Sequence, residues 1–268
     1  MTNQKFEDYF KSVYKDRWSA IFSALKVETK HIQRPNSFFK LNKDMLEFYK
    51  MDPASILVAR ALEVSKNEKI LDLCAAPGGK SLILAEGLNF DGKSTGELIS
   101  NEFSNSRRER LVRVFKEYIP MDLRTNIFVK GQDGNQFGLK MPDHFDRVLA
   151  DVPCSGERHL LENKSEFEKW SIKRTQNLAV RQFSLLSSAW LTCKTGGRIV
   201  YSTCSISPIE NDDVIRKLVK RREVQILHPE FLSEFSSSDL VLEQTEFGYQ
   251  ILPDQSGCGP MYFSVMRK

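Results

Sequence analysis

The stretch Leu71-Asp72-Leu73-Cys74-Ala75-Ala76-Pro77-Gly78-Gly79-Lys80 reads as a short buried strand, a tight turn of small residues and the opening of a helix. Small residues let a backbone come close to a ligand, and the free amides at a helix N-terminus favour a negatively charged group such as a carboxylate. Residues Cys74, Ala75, Ala76, Pro77, Gly78, Gly79 and Lys80 therefore make a candidate cofactor loop. It is not a P-loop: Lys80 is followed by Ser81, but the first glycine of G-x-x-x-x-G-K-[ST] is missing. G-x-G-x-x-G is also absent, which argues against a nicotinamide dinucleotide.

Outward from this loop, apolar β-rich runs alternate with longer helical patterns. The order predicts an α/β fold, a mostly parallel sheet with crossover helices on both faces. Seven strands are expected: Ile70 to Cys74, Gly96 to Asn101, Asn126 to Lys130, Asp146 to Val152, Arg198 to Ser202, Met261 to Met266, and a weaker one near Val224 to Leu227. Asp52 and Pro53 open a helix through Ile56 to Leu62, and Ser104 caps one through Tyr118. Thr175 to Lys194 forms a long helix that Gly196 and Gly197 end. Ser207-Pro208-Ile209-Glu210 fits a capping box for a helix to about Lys220. Before all of these, aromatics at helical intervals (Phe6, Tyr9, Phe10, Tyr14, Trp18, Phe22) predict two short amphipathic helices and a loop marked by Pro35. The domain reading is thus a helical N-terminal cap over 1–50 and a catalytic domain over 51–268. No internal repeat is found, and the low-complexity stretch is confined to Ser236 to Ser238.

Acidic residues follow the next two strands. Glu102 lies 23 residues after Gly79, close to where such folds place the acid that bonds ribose hydroxyls. Asp133, followed by Gly134, stands just beyond the third strand and is placed to receive an adenine amino group. Asp151-Val152-Pro153-Cys154 follows the fourth strand and Ser202-Thr203-Cys204-Ser205 the fifth, so both thiols belong at the carboxyl edge, where open α/β sheets bind ligands. Two converging cysteines suit one reaction well. Cytosine C5 is a poor nucleophile until a thiolate adds at C6; the C5 proton must then leave before the thiol is expelled, which calls for a second acid-base group beside the first.

In the order L-D-L-C-A-A-P-G-G-K, D-V-P-C-S-G and S-T-C-S, these motifs resemble the Nop/Sun-domain RNA cytosine-5 methyltransferases over roughly residues 50 to 268. The ending Gly259-Pro260-Met261-Tyr262-Phe263 and the F-Y-x-M-D-P-A-S stretch at Phe48 to Ser55 look most like the branch acting on small-subunit ribosomal RNA in mitochondria and its short bacterial relatives. The resemblance implies a Rossmann-like class I methyltransferase fold using S-adenosylmethionine. It also implies Cys204 as nucleophile, Cys154 as the residue that helps release the product, and Asp151 in contact with cytosine and cofactor. Gly78, Gly79, Lys80, Glu102, Arg107, Asp133 and Asp151 take the family's cofactor positions. The larger N-terminal RNA-binding domain or fused PUA module common in the family is missing from these 268 residues, and Glu102 is aspartate in many relatives.

Composition bounds the alternatives. No uncharged apolar run nears the roughly 18 residues of a membrane span, and Met1 to Phe10 resemble neither a secretory signal nor a transit peptide. Five cysteines, odd in number and never in C-x-x-C, argue against a disulfide framework and a zinc cluster, and His31, His144, His159 and His228 show no metal-ligand spacing, so no metal is expected. A net charge of +4 permits RNA without demanding it. The expectation is a monomeric, non-membrane protein acting on ribosomal RNA, with transfer RNA as the alternative and a protein partner as a source of extra RNA-binding surface. Its expected place is the cytoplasm, with the mitochondrial matrix as the alternative. Competing readings are amino-group methylation, which usually follows D-P-P or N-P-P with an aromatic, and a ribosome-assembly factor for which catalysis is dispensable. Arg107, Arg108, Arg110, Arg113, Lys217, Lys220, Arg221 and Arg222 read first as solvated helix faces and second as RNA contacts. Trp170 reads as a base-stacking residue or a helix anchor, Arg158 and His159 as pocket-lining, and Cys74, Cys193 and Cys258 as packing.

Overall fold

A computed structural model describes residues 3–89, 95–232 and 240–268; the Ser236 to Ser238 stretch lies outside the described residues. The chain opens with helices α1 (Gln4–Tyr14) and α2 (Trp18–Leu25), then a two-stranded ribbon of β1 (Ile32–Pro35) and β2 (Phe48–Met51). Pro35 therefore ends a strand, and the ribbon runs across the expected boundary at residue 50. α3 (Pro53–Arg60) follows, with Pro53 in its first turn and the Asp52 carboxylate accepting from the Ala54 amide.

Then come β3 (Lys69–Asp72), α4 (Gly79–Asn89), β4 (Glu97–Asn101), α5 (Asn105–Tyr118), β5 (Ile127–Lys130), α6 (Phe137–Lys140) and β6 (Phe145–Asp151). The second half holds α7 (Glu157–Glu162), α8 (Lys164–Glu168), α9 (Ile172–Thr192), β7 (Cys193–Thr203), α10 (Asp212–Val219) and β8 (Gln225–Leu227). It closes with β9 (Glu243–Gln244), β10 (Tyr249–Ile251), α11 (Pro253–Ser256) and β11 (Met261–Arg267). The sheet runs β5-β4-β3-β6-β7-β11-β10-β9, with β8 also on β11. β5, β4, β3, β6 and β7 are parallel to their neighbours, and β11 returns antiparallel.

All seven expected strands are present within a few residues, and the doubly covered, mostly parallel sheet is as expected. The described sheet has nine strands, because β9 and β10 add a short antiparallel edge. Those two strands span only two and three residues, too few for an alternating pattern to stand out.

Alternation explains the layers. Ile70, Leu149 and Val200 point into one apolar layer under α3, α4 and α5, while Leu71, Val148, Ala150, Ile199 and Tyr201 point into the other under α6, α9 and α10. A third cluster joins Phe6, Phe10, Trp18, Ile21 and Leu25 of the first two helices to Leu160, Phe167, Trp170, Ile206 and Leu252. Phe10 and Trp18 stack with ring centres 5.1 Å apart. Trp170 is 3% exposed inside this cluster, so it anchors a helix and offers no open stacking face.

Two helix boundaries differ from expectation for identifiable reasons. α9 starts at Ile172 because Ser171 caps it, and it ends at Thr192, so Gly196 and Gly197 fall inside β7. Gly196 takes φ +78°, and four residues bulge opposite Asp146 between the pairs Phe145↔Cys193 and Arg147↔Arg198. The capping box at Ser207 does not form: α10 begins at Asp212, and the Glu210 carboxylate turns inward to the Ser155 amide instead.

Leu149 is fully buried in the central strand beneath the site. Leu149→Ala should destabilise the protein by about 2–5 kcal/mol in urea unfolding; a change below about 1 kcal/mol would mean that this layer is not the core.

Candidate active site

The carboxyl ends of β3, β4, β5, β6 and β7 line up along one edge of the sheet, and the candidate residues occupy that edge. Leaving β3, the Leu73 amide bonds the Leu149 carbonyl at 2.9 Å and the Ala75 amide bonds the Asn101 carbonyl at 2.8 Å. The turn between them and α4 needs its glycines. Gly78 has φ +121°, and a Cβ at Gly79 would come within 2.7 Å of the Tyr49 ring. Tyr49 of β2 thus lies directly on the loop. Arg107 donates to the Ala76 carbonyl at 2.8 Å, drawing α5 to the same turn.

Glu102 is 5% exposed. Its Oε1 accepts from the Ser104 amide at 2.8 Å, Arg107 Nε stands 3.6 Å from Oε2, and that Oε2 has no hydrogen-bond partner among the described residues. A buried carboxylate oxygen left without a donor is costly. It suits a ligand hydroxyl arriving from the open edge.

Asp133 sits at the end of β5 as expected, but its Oδ1 caps its own turn through the Asn135 amide and side chain, at 3.0 and 2.9 Å. Gly134 faces away from the edge. A Cβ there would meet the Leu185 side chain of α9 at 2.7 Å, and its carbonyl accepts from Ser188.

Two residues of this region carry no assignment from sequence. Asn101 donates to the Leu73 and Gln132 carbonyls and accepts from the Gln132 amide, each at 2.9–3.0 Å, so it fastens the loops after β3 and β5 together. The only signal was a polar residue ending an otherwise apolar strand. Asp72 is buried at the tip of β3, and Ser81 donates to it at 2.6 Å. Burial pushes its carboxyl up to about 7, against the pull of that hydrogen bond. Burial likewise drives the Cys74 thiol far above its usual range, which fits packing and not reactivity.

β6 and β7 position the cysteines. Asp151 pairs with Ser202 in the parallel register, and Ser202 Oγ donates to Asp151 Oδ1 at 2.6 Å. Lys80 Nζ lies 2.8 Å from Asp151 Oδ2 and also donates to Ser55, tying the cofactor loop to the strand that carries the first cysteine. Three residues past Asp151 and two past Ser202, the Cα atoms of Cys154 and Cys204 are 6.3 Å apart and their sulfurs are joined as a disulfide. The Cys204 amide also points at Cys154 Sγ, at 3.2 Å. The argument against a disulfide framework is corrected at this one place; Cys74, Cys193 and Cys258 are free.

Arg158 turns away from the cysteines, whereas His159 stays near them: a Cβ at Gly156 would lie 3.9 Å from the His159 ring and 3.5 Å from Cys204 Sγ. Arg158 is buried, and its guanidinium caps the C-terminal carbonyls of α2 at Ala24, Leu25 and Val27 and bonds the Gly259 carbonyl. The His159 side chain is exposed against Glu162. Arg110, Arg113 and Lys217 are exposed on their helices, whereas Lys220, Arg221 and Arg222, expected on a helix, are exposed in the turn that follows α10. Among the described residues no His/Cys/Asp/Glu group suits a metal ion, and no helix is long and apolar enough to cross a membrane.

A model of the family described as 16S rRNA methyltransferase RsmB/F matches residues 59–267. The chain belongs to this family. The family match covers every edge residue named above except the two from the ribbon and α3, Tyr49 and Ser55. The chain is 36% identical over 239 residues to the 5-cytosine rRNA methyltransferase NSUN4 of Bos taurus, covering 83% of the chain and 60% of that protein. It is 35% identical over 229 residues to the mitochondrial tRNA (cytosine(34)-C(5))-methyltransferase of Danio rerio, covering 83% of the chain and 61% of that protein. The chain thus spans about three-fifths of the length of these relatives. Its fold matches the crystal structure of a methyltransferase homolog protein from Pyrococcus horikoshii with a TM-score of 0.76 at 21% identity, covering 100% of the chain and 95% of that structure. The Rossmann-like methyltransferase fold expected from sequence is the one found.

Asn101→Ala would leave two carbonyls and an amide of adjoining loops without their partner. The expected cost is about 3 kcal/mol in urea unfolding, with faster hydrogen exchange at the Ala75 and Gln132 amides. Unchanged exchange there would show that the loops hold without Asn101.

Proposed function

We propose that this chain is an RNA cytosine-5 methyltransferase that uses S-adenosylmethionine, with Cys204 as its nucleophile. The observation that carries this reading is the meeting of Cys154 and Cys204 beside an Asp151 that is salt-bridged to Lys80 of the cofactor loop. Amino-group methylation has no use for two thiols at this place.

The residues present fit the cofactor. The Cys74 to Lys80 turn opens helix α4, whose free amides suit the amino-acid carboxylate. The unpartnered Oε2 of Glu102 suits a ribose hydroxyl, Arg107 braces the turn, and Asp133 borders the place of the adenine at the end of β5. When bound, S-adenosylmethionine supplies an electrophilic methyl group. Asp151, held by Lys80 and Ser202, faces both cofactor and base and bonds the cytosine ring.

The Cys204 thiolate adds to cytosine C6, forming a carbon–sulfur bond and moving electron density onto C5, which becomes able to take the methyl group. Cys154 then receives the C5 proton, the double bond re-forms, and the C6–sulfur bond breaks to free Cys204. Both roles need the sulfurs as thiolates, so a small thiol reductant, itself oxidised to a disulfide, opens the Cys154–Cys204 bond before turnover.

The first two helices and the β1–β2 ribbon, which crosses residue 50, form a cap on the methyltransferase domain. The RNA is ribosomal RNA of the small subunit, supported by the family description and the Bos taurus relative's name. Transfer RNA is a second reading, favoured by the name of the Danio rerio relative. The same name favours the mitochondrial matrix over the cytoplasm.

Under reductant, Cys154→Ala protein given labelled S-adenosylmethionine and total RNA should accumulate a labelled protein–RNA adduct on a denaturing gel. The Cys154→Ala/Cys204→Ala double variant should form none, and Cys204→Ala alone should lose methyl transfer by more than about 1,000-fold. Full transfer by Cys204→Ala would contradict the mechanism.

A further inference from the structure

Directly behind the two cysteine loops lie two carboxylates that the mechanism above does not use. Glu157 begins α7, three residues after Cys154, and Glu210 lies six residues after Cys204; both are 0% exposed. They meet around two hydroxyls. Ser155 Oγ lies 2.5 Å from Glu157 Oε1 and in still closer contact with Glu210 Oε1. Ser205 Oγ lies 2.9 Å from Glu157 Oε1 and 3.2 Å from Glu210 Oε1, and the two hydroxyl oxygens are 3.2 Å apart.

The remaining donors to the pair are neutral. The Ser155 amide and the Gln182 side chain reach Glu210 Oε2 at 2.9 and 2.7 Å, and the Ile206 amide reaches Glu157 Oε2 at 3.0 Å. Among the described residues, no lysine or arginine donates a hydrogen bond to either carboxylate.

Counting protons decides what this cluster holds. Five close oxygen–oxygen contacts join Ser155, Ser205, Glu157 and Glu210, and the two serines bring only two protons to them. With both carboxyls ionised, three of the contacts would be bare oxygen facing oxygen. Two buried negative charges without a cation would also carry a heavy desolvation penalty. One more proton on the carboxyl pair covers a third contact, leaving the two longest at 3.2 Å, and removes one of the two charges, as it does wherever two carboxylates share a site.

We propose that Glu157 and Glu210 share one proton and act as positioning residues, a singly protonated clamp that locks the Cys154 loop to the Cys204 loop. Apart from Gln182 of α9, the clamp's side-chain carboxylates bond residues next to the cysteines: Ser155 on one side, Ser205 and Ile206 on the other. Its kinetic consequences rest on the methyltransferase reading; its proton does not.

The groups facing the clamp set its pH behaviour. From α1, Tyr9 bonds Ser207 and Tyr14 bonds the Ile206 carbonyl; from β7, the Tyr201 hydroxyl bonds the Glu210 carbonyl; Cys154 and Cys204 flank it, and farther out Asp151, Asp213 and Glu243 are each paired with a cation, Lys80, Arg216 and Arg17. Burial pushes all three tyrosines upward, so they stay neutral through the neutral range. Burial, with Glu210 as second cause, pushes the Glu157 carboxyl from 4.5 to about 7. The folded state therefore holds a proton that the unfolded chain has lost, and stability falls as pH rises from about 4.5 to 7.

The test compares the reduced full chain with Glu157→Gln and Glu157→Ala. Glutamine keeps the shape and fixes the neutral state, so the wild-type Tm should fall relative to that of Glu157→Gln by about 5 °C or more between pH 4.5 and 7. Asp72 titrates in the same window, but it is common to both proteins and cancels in the difference. In methyl transfer, Glu157→Ala should lower kcat on the order of 100-fold while KM for S-adenosylmethionine stays within about twofold, and Glu157→Gln should restore most of the lost rate. Parallel Tm–pH curves for wild type and Glu157→Gln overturn the shared proton. A Glu157→Gln rate as low as that of Glu157→Ala overturns the singly protonated clamp. The Tm comparison needs neither RNA nor cofactor, so it decides the clamp even if Glu157→Ala does not fold. An absence of methyl transfer in the wild type would instead count against the activity itself.

Discussion

The parallel pairing of β6 with β7 is the constraint on which the site depends. Asp151 stands opposite Ser202, and from that pair the chain needs only three residues on one strand and two on the other to bring Cys154 against Cys204. A slip of one residue would exchange the faces of every side chain beyond it. Leu149 and Val200 would leave one layer for the other, and Ser202 would lose the carboxylate it holds. The apolar packing that fixes the register therefore also fixes the distance between the two sulfurs.

Around that pair, polar contacts join segments far apart in sequence. Lys80 brings the cofactor loop to Asp151, Asn101 fastens the loops after β3 and β5, and Arg158 holds the end of α2 and the turn at Gly259. The first two helices are seated by an aromatic cluster closing on Trp170 and Phe167, and Tyr9 and Tyr14 of α1 reach Ser207 and Ile206 beside the second cysteine loop. An RNA engaging those helices would press on the loop that carries Cys204. The same place is where the buried Glu157 and Glu210 meet Ser205 and Ile206, so the loops are held together by hydrogen bonds screened from water.

The sheet was legible in the sequence because its central strands are buried on both faces and read as continuous apolar runs. The two cysteines and the loop from Cys74 to Lys80 were legible because strand ends carry ligand sites in open α/β sheets. Contacts made only in three dimensions were not. Arg158, next to a site motif, reads locally as pocket-lining, and only the fold shows it turned toward Val27 and Gly259. Glu210 reads as a cap in the pattern Ser-Pro-Ile-Glu, yet Ser155, 55 residues earlier, competes for its carboxylate and wins. Gly134 follows an acid that suits a ligand, but its own neighbour is Leu185. In each case a distant partner overrides a local preference that was reasonable on its own.

The role proposed for Cys204 is to make C5 of cytosine reactive, and the identity of the methylated nucleoside tests that most directly. RNA treated with reduced protein and isotopically labelled S-adenosylmethionine, digested and read by mass spectrometry, should carry the label in 5-methylcytidine and lose it with Cys204→Ala. Label in an amino-methylated nucleoside, or 5-methylcytidine undiminished in Cys204→Ala, would contradict the account.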